Sequence, residues 1–190
     1  MSDLSNNGYQ IVKQFIDPER AQRLSNNFKD FCISKNVEGD LQVPTSCSYY
    51  NYIKFVQLLV EKIPHINNIL GEPVLPTYAY SRWYKKGSIL YKHTDRNECE
   101  VSVTINLSCD VVWPMYMQPP GKELACLILG PGDAAVYFGP SVPHWREEFT
   151  GNVCVQAFLH YVKSRGNNCH LVFDNYEHRK LFQERMKNIS

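Results

Sequence analysis

Two residues in the segment Tyr91-Lys92-His93-Thr94-Asp95-Arg96, His93 and Asp95, are of types that bind metals and are spaced to do so together. On a β-strand, residues i and i+2 project to the same side, so the imidazole and the carboxylate are expected to face one space. They make up two-thirds of the facial triad that holds Fe(II) and leaves further coordination positions open. The third ligand is expected on a later strand, and His144 is the candidate. It follows a turn-then-strand segment, Gly132-Asp133-Ala134-Ala135-Val136-Tyr137-Phe138, and the loop Gly139-Pro140-Ser141-Val142-Pro143. A lone strand histidine is usually a hydrogen-bonded structural residue, and only the set of three points to a metal. The chain has no phosphate-cradling glycine loop, G-x-S-x-G elbow or H-E-x-x-H helix, so phosphoryl transfer, serine hydrolysis and zincin chemistry lack a motif.

These residues need a β-rich frame, and the second half of the chain supplies the pattern for one. Thr77 to Tyr84 is aromatic-rich and strand-like, and Val101 to Leu107 alternates apolar and polar with period two. Further strands are expected over 111–117, 124–129, 134–138 and 153–162, with turns at Pro119-Pro120-Gly121 and Gly130-Pro131-Gly132-Asp133. Before them, Asp17-Pro18 reads as an N-cap followed by proline at the first helical position. Apolar residues Ala21, Leu24, Phe28 and Phe31 then predict an amphipathic helix over 18–33. A polar loop from Ser34 to Cys47 leads to a second helix over 50–63 that Pro64 should end. A closing helix is expected over 174–189. Many short strands after a helical start predict a mainly β, α+β, single domain over 1–190. Its parts are helical support (1–73), an antiparallel barrel or sandwich (74–165) and the closing helix.

Composition narrows the function classes. The 190 residues carry a formal net charge of +1, so no strongly basic nucleic-acid footprint is visible. No apolar run approaches the ~20 residues of a membrane span, and the polar start is unlike a secretory signal. Seven cysteines, odd in number and without a C-x-x-C pair, argue against a disulfide framework and a structural zinc site. A reducing, cytoplasmic setting is expected, which also suits a ferrous site.

On these motifs the chain resembles the 2-oxoglutarate/Fe(II) dioxygenase superfamily, in its prolyl-hydroxylase-like branch. The resemblance runs from Phe15-Ile16-Asp17-Pro18-Glu19 through Tyr84-Lys85-Lys86-Gly87 to His93-Thr94-Asp95. It continues through Leu129-Gly130-Pro131-Gly132-Asp133-Ala134 and His144 to Phe158-Leu159-His160-Tyr161. Cys99-Glu100 and His144-Trp145-Arg146-Glu147 are similar to small viral and bacterial members of the superfamily. The resemblance implies a double-stranded β-helix (jelly-roll) barrel braced by N-terminal helices. It also implies Fe(II) on His93, Asp95 and His144, with 2-oxoglutarate and O2 consumed, succinate and CO2 released and a C–H bond hydroxylated. Asp95, where a glycine or alanine would vacate a position for halide, favours hydroxylation over halogenation.

The distal carboxylate of 2-oxoglutarate needs a buried cation, because an unpaired carboxylate in an apolar cavity is costly. In the resembled family a Lys or Arg lies about ten residues beyond the distal histidine, but here that stretch reads Asn152-Val153-Cys154-Val155-Gln156. Arg146 is the preferred substitute, since it shares strand parity with His144 and carries a planar fork suited to carboxylates. Arg82 comes next, sharing parity with Tyr84, while Arg96 is expected to face away from the metal. An ion pair with Glu148, Glu98 or Glu100 is the plain alternative for these arginines. Tyr84, Gln156 and Thr104 are candidate polar walls, and Leu90 stands where the branch tends to have a tyrosine. His160 is read as a structural residue after the last strand. The three tryptophans are read as core rather than substrate groove. A protein side chain such as proline is the substrate the branch suggests; a small molecule or nucleobase is the alternative. The rival from another class is a non-catalytic, cupin-like metal-binding barrel, which the missing cation supports.

Overall fold

A computed structural model describes residues 3–174. Helix α1 (Asp3–Asn7) and strand β1 (Tyr9–Val12) precede α2 (Pro18–Lys35), which starts where Asp17 predicts: its side chain accepts from the Arg20 N–H at 2.9 Å. The helix ends at Asn36 in the left-handed conformation. Strand β2 (Cys47–Tyr50) follows, inside the stretch expected to be loop and helix. The expected second helix is two helices, α3 (Ile53–Glu61) and α4 (Ile63–Leu70). Pro64 opens α4 instead of closing α3, because a first-turn residue has no intrahelical N–H bond to lose. Edge strands β1 and β2, four residues each, were not anticipated. The helix expected over 174–189 falls outside the described residues except at Asp174, which is not helical.

The remaining strands are β3 (Val74–Tyr84), β4 (Leu90–His93), β5 (Val101–Cys109), β6 (Met115–Met117), β7 (Ala125–Leu127), β8 (Ala134–Tyr137), β9 (His144–Arg146) and β10 (Cys154–Lys163). Strand β6 is shorter than expected, starting only after Pro114, which has no N–H to give a ladder. The strands form two antiparallel sheets, one ordered β1-β8-β5-β10-β3-β2 and the other β4-β9-β6-β7. Facing each other, they make the double-stranded β-helix.

Period-two alternation assigns each face of the larger sheet. Val101, Val103 and Ile105 of β5, with Val155, Ala157 and Leu159 of β10, pack outward against Leu24, Phe28, Phe55 and Leu58 of the helices. The intervening Ser102, Thr104, Gln156 and Phe158 point inward, toward the smaller sheet. Burying the helix-facing apolar surface is the main source of stability. The inward polar residues are available for a site. Among the described residues, no helix is long and apolar enough to cross a membrane.

The turn before β8 is held by Asp133, whose carboxylate accepts from Lys13 Nζ (2.7 Å), the Gln14 N–H (3.0 Å) and the Gly130 N–H (2.9 Å). Gly132 has φ +85°, and a Cβ there would lie 2.4 Å from the Ile16 carbonyl, so only glycine fits. Burial pushes the Asp133 carboxyl up, but its hydrogen bonds outweigh this and hold it below the usual carboxylate range. Asp133→Ala is therefore expected to lower stability at neutral pH by about 1–3 kcal/mol, since two backbone donors lose their acceptor. A depressed folded pKa gives stability that is present above the unfolded value near 3.9 and lost as pH falls through the folded value. Urea denaturation at pH 7 and pH 3 checks this: the gap between parent and variant should narrow at the lower pH.

Candidate metal and co-substrate site

His93 and His144 are cross-strand partners in the β4–β9 ladder, with ring centroids 4.3 Å apart. Each donates its Nδ1–H to the backbone carbonyl two residues earlier, His93 to Tyr91 at 2.8 Å and His144 to Val142 at 2.9 Å. That bond fixes the tautomer and leaves both Nε2 lone pairs facing inward. Burial, with the neighbouring His93, holds His144 below the ordinary imidazole range despite the opposing pull of Asp95, so the ring is neutral, as a ligand must be.

Asp95 joins the histidines by a route other than strand alternation. Strand β4 ends at His93, and Asp95 lies beyond it, its N–H donating to the Gly139 carbonyl at 3.0 Å. One carboxylate oxygen stands 3.7 Å from His93 Nε2 and 3.6 Å from His144 Nε2. The other accepts from the Ser102 hydroxyl at 2.8 Å. Gly139 is necessary for this contact, because a Cβ there would sit 2.5 Å from the Asp95 carboxylate. Gly139 and Ser102 escaped the sequence reading because their roles arise only when the β8–β9 loop and β5 meet Asp95.

The donor set fits a divalent transition metal. Two imidazoles and one carboxylate offer ligand atoms within 4.8 Å of one another, lining a polar cavity. Cys99 and His160 lie near Asp95 on its other side. Their side chains are engaged: His160 Nδ1 with the Ser102 hydroxyl and Cys99 Sγ with the Tyr78 hydroxyl, each at 3.0 Å. His160 is inside β10 rather than after it, and burial pushes its imidazole down to about 4, so it is neutral.

The cavity of about 300 Å³ is lined by the triad and by Arg82, Arg96, Thr104, Arg146 and Gln156, among others. The three arginines differ in how their charge is met. Arg82 pairs with Asp40 at 2.5 Å and donates to Gln42 at 2.6 Å. Arg96 lines the cavity after all, because the alternation that would turn it away stops at His93. It stacks on Tyr78 and pairs with Asp174 and Glu98. Arg146 is 2% exposed, lies over the Trp113 ring and donates to the Trp113 carbonyl. Among the described residues it has no carboxylate partner, and the expected alternative, a pair with Glu148, is absent. The Tyr84 hydroxyl and Gln156 Oε1 are buried and, among the described residues, have no hydrogen bond of good geometry, although Arg82 neighbours Tyr84. Tyr84 packs edge-on against Trp113 in a buried cluster with Leu90 and Phe149, and is not one of the residues lining the cavity. Trp113 is core, whereas Trp145 lies half-buried on the outer face, stacked with Tyr116.

A two-sheet jelly roll with a His/Asp/His cluster between its sheets defines the structural class: the double-stranded β-helix seen in 2-oxoglutarate/Fe(II) oxygenases. Solved structures with this fold include a Pseudomonas putida prolyl-4-hydroxylase, at TM-score 0.69 and 14% identity over 86% of this chain and 96% of that one. HygX of Streptomyces hygroscopicus, solved with nickel and 2-oxoglutarate, matches at TM-score 0.63 and 12% identity over 85% of each chain. A Trichoplax adhaerens prolyl hydroxylase, in complex with a hypoxia inducible factor peptide fragment, matches at TM-score 0.65 and 14% identity over 83% of this chain and 85% of that one. No protein-family profile and no curated protein sequence matches the chain.

Proposed function

We propose that the chain is an Fe(II)- and 2-oxoglutarate-dependent dioxygenase that hydroxylates a C–H bond, with a peptide side chain as the favoured substrate. The observation that carries this is Arg146: a buried guanidinium without a carboxylate partner among the described residues, in the same cavity as a His/Asp/His cluster. A buried unpaired charge is unfavourable by several kcal/mol unless an anion completes it. A dicarboxylate held at the metal by one end and at Arg146 by the other supplies that anion.

His93, Asp95 and His144 would hold the ferrous ion, and Ser102 and the Tyr91 and Val142 carbonyls would orient those ligands. When bound, the iron supplies O2 activation coupled to oxidative decarboxylation of the 2-oxo acid. Arg146 fixes the distal carboxylate, with the Tyr84 hydroxyl as a neighbouring donor. Leu90, Met115 and Phe158 make the walls apolar and limit water. Tyr50, Tyr80 and the Asp40–Arg82 pair also line this cavity. The peptide-bound Trichoplax enzyme and the prolyl-4-hydroxylase likeness support that substrate class. Seven free cysteines suit a reducing, cytoplasmic setting.

Anaerobic titration of the Fe(II)-loaded protein with 2-oxoglutarate tests the reading. A saturable metal-to-ligand charge-transfer band is expected, absent from His93→Ala. Iron binding with no band at millimolar 2-oxoglutarate would leave a non-catalytic metal-binding barrel as the better account.

A further inference from the structure

Strands β5 and β10 carry two cysteines that the metal chemistry does not use. Cys109 and Cys154 are direct partners at the end of this antiparallel ladder. Their neighbours determine what kind of pair they are. The Asp110 N–H donates to the Val153 carbonyl at 3.0 Å, so 110 and 153 are a hydrogen-bonded pair and 109 and 154 a non-hydrogen-bonded one. In such pairs the Cα atoms stand about 4.5 Å apart with side chains close, inside the span of roughly 4.4–6.8 Å that disulfides bridge. A register shift between Val155 and Gln156, with Leu107 as the extra residue, sets their direction. Ser108, opposite Val155, turns outward and meets the Ser25 hydroxyl at 2.6 Å. The next pair, 109 and 154, therefore turns inward, where Cys154 Sγ lies 3.7 Å from Gln156 Nε2. Asp110 pins the ladder end by accepting from the Asn152 N–H at 2.8 Å.

We propose that Cys109 and Cys154 form a reversible disulfide, a redox modification site beside Arg146. The oxidant is a hydroperoxide, with hydrogen peroxide the simplest. The Cys109 thiolate attacks a peroxide oxygen, the O–O bond breaks, and Cys109 becomes a sulfenic acid as water leaves. The Cys154 sulfur then attacks the Cys109 sulfur; an S–S bond forms and a second water leaves, carrying the Cys154 proton. Two thiols lose two electrons and two protons, and one peroxide becomes two waters.

The surroundings divide these roles. Cys109 is half-buried and borders a second cavity shared with Arg146 and Gln156, whereas Cys154 is buried. A hydrogen bond with Cys154 draws the Cys109 thiol below its ordinary range, with Arg146 assisting, while burial pushes Cys154 up. The first is suited to attack and the second to resolve. Cys32 and Cys47 are also adjacent, but both are buried in the helix-facing core, and burial pushes Cys32 up to about 12. They make an internal comparison. The inference does not depend on what Arg146 binds.

The test treats the purified full chain with hydrogen peroxide, alkylates remaining thiols under denaturing conditions and maps peptides without reduction. A linked 109–154 peptide lighter by two hydrogens is expected, lost after dithiothreitol, with Cys32 and Cys47 alkylated throughout. In Cys154→Ser, or Cys154→Ala should the serine not fold, the link should vanish and a dimedone-trapped sulfenic acid appear on Cys109. Cys109 and Cys154 both staying alkylated while other cysteines oxidise would overturn the proposal. So would over-oxidation of Cys109 in the parent chain without any link.

Discussion

Replacing Arg146 with methionine is expected to weaken 2-oxoglutarate binding sharply while leaving the ligand-free fold as stable as the parent, or more so. Both halves follow from one fact: among the described residues, the buried guanidinium meets no carboxylate. Removing one partner of a buried charged pair typically costs about 2–5 kcal/mol of binding, roughly 30-fold to several thousand-fold in affinity. In the ligand-free protein the described residues hold no such pair to break. Methionine has similar length, keeps contact with Trp113 and needs no desolvation of a charge, and replacing buried charge by apolar groups is often neutral or stabilising. Arg82→Met should behave oppositely. It strands Asp40, whose carboxyl is held low by Arg82 and Tyr80 hydrogen bonds against the effect of burial, so the loss should appear in stability. Calorimetric titration with 2-oxoglutarate and urea denaturation of both variants separate the two cases. If Arg146→Met retained parental affinity, Arg146 would be ruled out as the carboxylate partner.

The two arginines also show what could be read from the sequence and what could not. Parity along a strand correctly places Arg146 and Arg82 on the cavity side, because period two is local geometry. It cannot reveal that Asp40, in a loop 42 residues earlier, has already neutralised Arg82. The resembled family has a cation in the stretch that here reads Asn152 to Gln156, and its absence supports the non-catalytic barrel when the sequence is read alone. In three dimensions Arg146 lies close enough to Cys109 and Cys154 to influence both thiols, so a charge reaches that stretch from the opposite sheet. The His93/Asp95 pairing was legible for a partly wrong reason. Strand alternation ends at His93, and Asp95 is brought in by Gly139 and Ser102 instead. Arg96 was misplaced by the same assumption. The alternation of Val101 to Leu107 likewise gives no warning that the ladder slips at Leu107, which is what aligns Cys109 with Cys154. Edge strands β1 and β2 were missed because four residues carry too little periodicity to stand out from loop.

Asp95→Ala is expected to reduce divalent-metal affinity by more than 100-fold while barely changing the metal-free protein. Replacing groups that merely orient ligands costs about 10- to 100-fold, and Asp95 is the only anionic member of the cluster. Without it, the imidazoles of His93 and His144 must hold a dication alone. Removing the carboxylate frees the Ser102 hydroxyl, which keeps His160 Nδ1 and the Cys99 carbonyl as partners, so no buried donor is stranded. The comparison variant is Ser102→Ala, which keeps the ligand but releases its second oxygen and should fall in the 10- to 100-fold range. Thermal unfolding with and without Ni(II) reads the difference directly, because a ligand present at 100 times its Kd adds about 2.7 kcal/mol to the folded state. The parent should gain that stability and lose it on chelation, Ser102→Ala should gain part of it, and Asp95→Ala none. An Asp95→Ala protein stabilised by the metal as strongly as the parent would move the metal away from His93, Asp95 and His144 and remove the basis of the oxygenase reading.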